Sequence, residues 1–209
     1  MTTARTPVPE AARGLSLRER KKIKTRIAIR NATYALVREQ GYEATTVEQI
    51  AERAEVSPST VFRYFPTKED IVLTDEYDPV LLAELGKRPA DEPWTESLRY
   101  VMRRAISAGL EEDAEAVRLR SRLLAEVPAV RSRMLESMSV TGRMLAAAVA
   151  ERTGLERDGL EARVYTMSLV GGLTEITLYW AENGFRDDLH ELLDRALNVI
   201  EHGLPVKNT

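Results

Sequence analysis

The sequence predicts an all-α protein, with an N-terminal three-helix bundle built around a homeodomain-like helix-turn-helix and a larger C-terminal helical domain. Three observations predict it. Apolar residues recur at helical spacing along most of the chain. Small polar residues, prolines and glycines stand where helices begin and end. No alternating, strand-like pattern rivals that periodicity.

Residues 1–16, MTTARTPVPEAARGLS, are rich in Pro, Ala, Thr and Arg without apolar periodicity, and read as a disordered basic tail. From Leu17 the pattern turns helical. Ile29, Ala32, Thr33 and Leu36 fall at i, i+3, i+4 and i+7, and Gly41 suits the residue after the helix end. Thr46 followed three residues on by Gln49 forms a capping box ahead of the narrow stripe Val47, Ile50, Ala51 and Ala54. Ser57 and Pro58 open a short helix over residues 58–64, which Pro66 stops. Thr67 with Asp70 starts a fourth helix running toward Gly86. Past Pro93, helical spacing continues over roughly 94–112, 114–125, 128–153, 157–183 and 186–202, with Pro128 as a start and Gly154 as a stop. The expected domains are a tail at 1–16, a helix-turn-helix domain at 17–66, a connecting helix at 67–88 and a ligand-binding and dimerisation domain at 89–209.

Composition narrows the function classes. With no cysteine in 209 residues, disulfides and thiolate metal sites are excluded. No signal peptide is read at the N-terminus, and the longest uncharged apolar run, Val164 to Thr174, is too short to span a bilayer. A cytoplasmic protein is expected. The net charge of −3 is unevenly divided: residues 1–70 hold 13 Lys/Arg against 9 Asp/Glu, whereas residues 71–209 hold 17 against 24. A basic head on an acidic body points to a polyanionic partner at one end.

Two short helices, the second opening on small polar residues, fit a helix-turn-helix. The helix over 58–64 would be about 10 Å long, and the major groove is about 12 Å wide. Val61, Phe62 and Phe65 are expected to pack it onto Ile50, Ala54 and Ile71, leaving Ser59, Thr60, Arg63 and Tyr64 free of core work. Arg63 can donate two bonds to a guanine, and Ser59 and Thr60 can meet base edges. Thr46, Ser57, Tyr64 and Lys68 suit phosphates, with helix N-termini at Thr46 and Thr67 adding backbone donors. Six basic residues between Arg18 and Arg26, Lys22 and Arg26 among them, suit a phosphate backbone or a minor groove.

The stretch GYEATTVEQIAERAEVSPSTVFRYFPTKEDI resembles the DNA-binding domain of the TetR family of bacterial repressors, over about residues 22–72. The resemblance rests on Gly41-Tyr42, the TTV helix start, Ile50-Ala51, Val56-Ser57 and the run to YFPTKED. It implies that Thr46, Tyr64 and Lys68 meet phosphates and that Ser59, Thr60 and Arg63 face bases. Glu55 departs from the glycine or small residue usual in the family.

The same resemblance implies that the last two long helices pair with those of a second subunit. Leu169, Gly172, Leu173, Ile176 and Trp180 make one stripe, and Leu189, Leu192, Leu193, Ala196 and Ile200 another. Packing within one chain would explain these stripes equally well. A two-fold dimer has an independent argument, because two heads read half-sites about 34 Å apart or at a multiple of that spacing. Met102, Leu123, Met134, Met138, Tyr165 and Met167 form an adaptable apolar set that serves as core or as a pocket for a small hydrophobic effector. RLRSRLLAEVPAVRSRML resembles a branch of the family with acyl-CoA-like ligands, which implies phosphate contacts for Arg118, Arg120 or Arg122.

No reactive constellation, cysteine, HExxH, P-loop or Rossmann pattern appears, so neither an enzyme nor any cofactor or bound metal is expected. The expected function is a sequence-specific transcriptional regulator, a ligand-responsive homodimeric repressor on a palindromic double-stranded DNA operator, with no membrane partner. The alternative is an architectural or protein-docking helical module without an effector. Its weakness is a recognition face poor in the aromatic anchors of protein hot spots.

Overall fold

Capping chemistry sets the helix boundaries in the computed structural model, which describes residues 16–73, 78–156 and 158–204. Helix α1 (Leu17–Gln40) opens on Ser16, whose hydroxyl accepts from the Glu19 amide while the Glu19 carboxylate accepts the Ser16 N–H. It closes on Gly41 at φ +84°, a left-handed position suited to glycine. Helix α2 (Val47–Arg53) carries the expected Thr46–Gln49 capping box. Helix α3 (Pro58–Tyr64) starts with the Ser57 hydroxyl accepting from the Thr60 amide and with Pro58 in the first turn. It stops at Phe65, whose backbone is extended ahead of Pro66.

Helix α4 (Lys68–Leu73) is nucleated by a reciprocal pair: the Thr67 amide donates to the Asp70 carboxylate at 3.0 Å, and the Asp70 amide to the Thr67 hydroxyl at 3.2 Å. Where one helix from Thr67 to Gly86 was expected, the structure has α4 and then α5 (Asp78–Gly86), with residues 74–77 outside the described set. The basic tail expected at 1–16 lies outside it too, apart from Ser16. Ile29, Ala32 and Leu36 of α1, Ile50 and Ala51 of α2, Val61 and Phe65 at α3, and Ile71 of α4 form one buried core. Each fully buried Ile, Leu, Val or Phe side chain of this core contributes about 1.5–3 kcal/mol.

Contacts divide the chain into two units, Met1–Val80 and Leu81–Thr209. In the second, α6 (Trp94–Glu126) consists of two helical segments that meet at Asp113, the break expected between 94–112 and 114–125. It bends at Asp113 (φ −158°, ψ 85°), whose carboxylate recaps the run by accepting from the Ala116 amide. Helix α7 (Pro128–Thr153) ends on left-handed Gly154. Helix α8 (Leu160–Glu182) packs against α6, α7 and α9 (Leu189–His202), and so occupies the middle of the unit. Gly172 matters here, because a Cβ on it would stand 2.9 Å from Ile200 Cδ1 of α9. Trp180 lies edge-on to Phe185 at 4.8 Å and donates its indole N–H to the Asp187 carbonyl. No described helix is long and apolar enough to cross a membrane.

Candidate nucleic-acid interface

Helix α3 is held mainly by one line of buried side chains, and the side opposite that line is left to solvent. Val61 and Phe65, four residues apart, are each 1% exposed. Ser57, Ser59 and Arg63 are exposed, and Thr60 and Tyr64 are partly buried. The Ser57 hydroxyl lies 2.9 Å from both the Ser59 and Thr60 hydroxyls, which gathers three short polar groups at the start of the helix. The Arg63 guanidinium stacks on the Tyr64 ring at 5.3 Å. Tyr64 itself is partly buried and packs against the head core.

Phe62 corrects the sequence reading. It was expected in the core and is instead 50% exposed. In a helix with 3.6 residues per turn it stands 100° from Val61, off the buried line that Val61 and Phe65 define.

Lys68 is placed differently from a free phosphate ligand. Its ammonium donates to the Tyr42 carbonyl at 2.9 Å and the Thr45 carbonyl at 3.0 Å, and sits 4.0 Å from the Tyr42 ring centre. The Tyr42 hydroxyl in turn donates to Glu69 at 2.8 Å. Burial first, and the bond to Glu69 second, push the Tyr42 phenol well above its ordinary pKa and keep it a donor. Lys68 is therefore tied beside the α2 start, one residue from Thr46. The Thr46 hydroxyl already accepts from the Gln49 amide, and the Thr67 amide expected to face an anion is taken by Asp70. Across the helix-turn-helix, Arg53 makes two bonds to Glu39 of α1, which lower the Glu39 carboxyl below its ordinary range. The turn between α2 and α3 runs through Glu55 at φ +55°, a left-handed conformation in a non-glycine residue.

The basic segment is the first part of α1. Lys22 is exposed, whereas Arg26 is partly buried with its guanidinium 4.7 Å over the Phe65 ring. Arg26 thus braces the end of α3, and a contact to phosphate would use only what that packing leaves free.

The second unit revises both residue sets expected there. Leu169, Ile176, Trp180, Leu189, Leu192 and Leu193, expected at a dimer interface, are buried in their own chain's core together with Leu197. Leu173, Ala196 and Ile200 pack against that core, and Gly172 receives Ile200. Helical periodicity marks an apolar face without saying whose apolar surface covers it, and here the chain covers it itself. The expected pocket residues differ in burial. Met102 and Tyr165 pack on the core, and Leu123 and Met134 are buried. Met138 is partly buried, and Met167 is 41% exposed and lies against Gly142. Burial, with the Glu201 charge second, raises the Tyr165 phenol. Of the three arginines expected near phosphates, Arg118 pairs with Glu115 and Arg122 lies 5.5 Å from the Phe185 ring centre. Arg120 is likewise engaged. A cleft of about 250 Å³ opens at the α6–α7 turn between Ala125, Arg131 and Leu135. No cluster of three or more His, Asp or Glu side chains suited to a metal ion occurs among the described residues.

Comparisons with known proteins agree with this arrangement. A family model described as "Bacterial regulatory proteins, tetR family" matches residues 29–74, and one described as "MftR C-terminal domain" matches residues 92–205. The chain is similar to the HTH-type transcriptional regulator TcmR of Streptomyces glaucescens, at 33% identity over 168 residues, 76% of this chain and 74% of that one. It is 32% identical over 88 residues to the HTH-type transcriptional repressor KstR of Rhodococcus jostii (strain RHA1), 41% of this chain and 40% of that protein. Among solved structures, Thermus thermophilus FadR in complex with lauroyl-CoA aligns at a TM-score of 0.57 and 24% identity, over 88% of this chain and 97% of that one. NalD of Pseudomonas aeruginosa aligns at 0.54 and 20%, over 90% and 100%. At those identities the shared property is the fold.

Proposed function

The chain belongs to the TetR family of bacterial regulatory proteins, and from that premise we propose that it is a homodimeric repressor which holds a palindromic operator with α3 and releases it when a small hydrophobic effector binds the helical body. The observation that carries the reading is the division of α3 into a buried line, Val61 and Phe65, and an open side bearing Ser59, Thr60 and Arg63. In this reading Arg63 leaves Tyr64 to pair with a guanine edge, and the hydroxyls of Ser59 and Thr60 meet neighbouring bases. Ser57, Thr46, Tyr64, Lys22 and the free edge of Arg26 face phosphates, which position the head without reading sequence. Lys68 acts by holding the α2 start in place and adding positive charge there.

The dimer then uses what the single chain leaves uncovered. On α8, Leu160, Val164, Met167 and Tyr179 are exposed, Gly171 has open space beyond it, and Val199 is exposed on α9. Effector binding works through differential affinity for DNA-competent and DNA-incompetent states, and α4 and α5 connect reader to sensor along the chain. Met102, Leu123, Met134, Met138 and Tyr165 supply the apolar lining in this reading, and an acyl-CoA is the first effector class to try.

The test is binding of the full chain to duplexes selected from a random pool, over a salt series, with a scrambled duplex as control. A regulator binds its selected site about a thousandfold or more tighter than the scrambled one. Equal affinity for both would overturn the reading. Lauroyl-CoA should lower operator affinity, and free coenzyme A should not. Val164→Glu with Tyr179→Glu should yield monomers in sedimentation; persistent dimers would move the interface elsewhere.

A further inference from the structure

Phe62 is the largest exposed apolar side chain on α3, and an exposed phenyl there has a narrow choice of partners. We propose that Phe62 is a specificity-determining residue that packs on the C5-methyl group of a thymine in each operator half-site. The inference rests on the reading of α3 as the base-reading helix.

A phenyl ring has neither donor nor acceptor, so it gains nothing from a phosphate oxygen and cannot bond a base edge. Among the groups that the four bases offer in the major groove, the thymine methyl is apolar, and phenylalanine is a suitable partner for it. Phe62 sits three residues after Ser59 and directly before Arg63, so it belongs to the open side of the helix. Its neighbours leave it uncovered, since the Arg63 guanidinium stacks on Tyr64 instead. The head's own core is complete without it, being closed by Val61 and Phe65. Left in water, half the ring remains hydrated; against a methyl group, that surface is buried on binding. Phe62 and Arg63 then read adjacent positions in different ways, the first by shape and the second by hydrogen bonds. Each half-site should hold a thymine within one or two base pairs of the guanine met by Arg63.

The experiment removes the methyl group and the ring separately and together. Each thymine of the selected duplex is replaced in turn by deoxyuridine, which lacks only the methyl, and binding of wild type and Phe62→Ala is measured. Wild type should weaken about fourfold per half-site at one thymine, the effect of one buried methyl group. Phe62→Ala should lose at least as much on the thymine duplex and be indifferent to deoxyuridine there. Because Phe62 lies outside the core, the variant's thermal midpoint should match wild type, which separates lost contact from lost fold. If deoxyuridine weakens both proteins equally, or neither, the Phe62 contact is overturned while the operator reading stands. If wild type enriches no sequence at all, the operator reading falls and takes this contact with it.

Discussion

The head and the body of this chain use the same secondary structure for opposite purposes. In the head, α2, α3 and α4, of six or seven residues each, are fixed by caps and a narrow buried line against the 24-residue α1, and much of α3 faces outward. In the body, helices of 23 to 33 residues spend their apolar faces on one another, with α8 in the middle. A short helix can afford little core, so what it shows to solvent tells what it touches. Long helices carry so much apolar surface that their stripes are first of all the chain's own interior. Polar surface is therefore open on α3, and apolar surface is largely enclosed in the body.

The largest expected effect probes the enclosed side. Leu193 is 1% exposed in the body core, so Leu193→Ala should cost about 2–5 kcal/mol in denaturant unfolding. Leu160→Ala, at a residue 72% exposed, should change monomer stability by less than about 0.5 kcal/mol. A large loss at Leu160 would show that the division between covered and open faces is misplaced.

Next comes the exposed side. Arg63→Ala should cost about 1–3 kcal/mol on the selected operator and almost nothing on scrambled duplex, relaxing preference at one base pair per half-site. Lys68→Ala sharpens the contrast within the head itself. Removing a charged donor from the Tyr42 and Thr45 carbonyls should lower head stability by about 1–3 kcal/mol, read by thermal melting without DNA. If Lys68→Ala flattens the salt dependence of DNA binding and leaves the melt unchanged, Lys68 is a phosphate ligand rather than a brace. Glu55→Gly relieves a left-handed residue in the α2–α3 turn and should raise head stability by about 1 kcal/mol.

The smallest effect lies in the body's surface network. Arg99 bonds Asp194 at 2.8 Å and Glu201 at 3.2 Å, and Arg103 bonds Asp194 at 2.6 Å, lashing α6 to α9. Desolvation pushes the Asp194 carboxyl up, but the bond from Arg99 and the charges of Arg103 and Arg99 outweigh it and hold the group below its ordinary value. A carboxyl depressed in the folded state stabilises above its unfolded pKa and loses that contribution as pH falls through the folded one. Asp194→Asn should therefore differ most from wild type at neutral pH and converge with it in acid, below about pH 4.

The two regions were not equally legible. In the head, Thr46 with Gln49, Ser57 with Pro58, Thr67 with Asp70, and Gly41 each announce a local geometry that the structure contains, because caps act over three or four residues. The core line Ile29, Ala32, Thr33 and Leu36 was equally plain. Phe62 was misread because hydrophobicity was weighed without its angle on the helix. The bonds of Lys68 to Tyr42 and Thr45 were not legible, because those partners lie 26 and 23 residues away and no local pattern encodes them. In the body, helix ends at Pro128 and Gly154 were visible, and so was the break between 94–112 and 114–125, where Asp113 leaves helical geometry. The stripes of α8 and α9 were visible too, but their partner was not, since own-chain and second-chain burial demand the same spacing.

The account stands on the open side of α3 lying in the major groove against base edges, and methylation interference on the selected operator reads that placement directly. Dimethyl sulfate modifies guanine N7 in the major groove and adenine N3 in the minor groove. The account predicts that guanine N7 methylation blocks binding in two blocks related by the palindrome, and that Arg63→Ala becomes insensitive to one guanine in each. Interference confined to adenine N3, or an N7 pattern unchanged by Arg63→Ala, would contradict it.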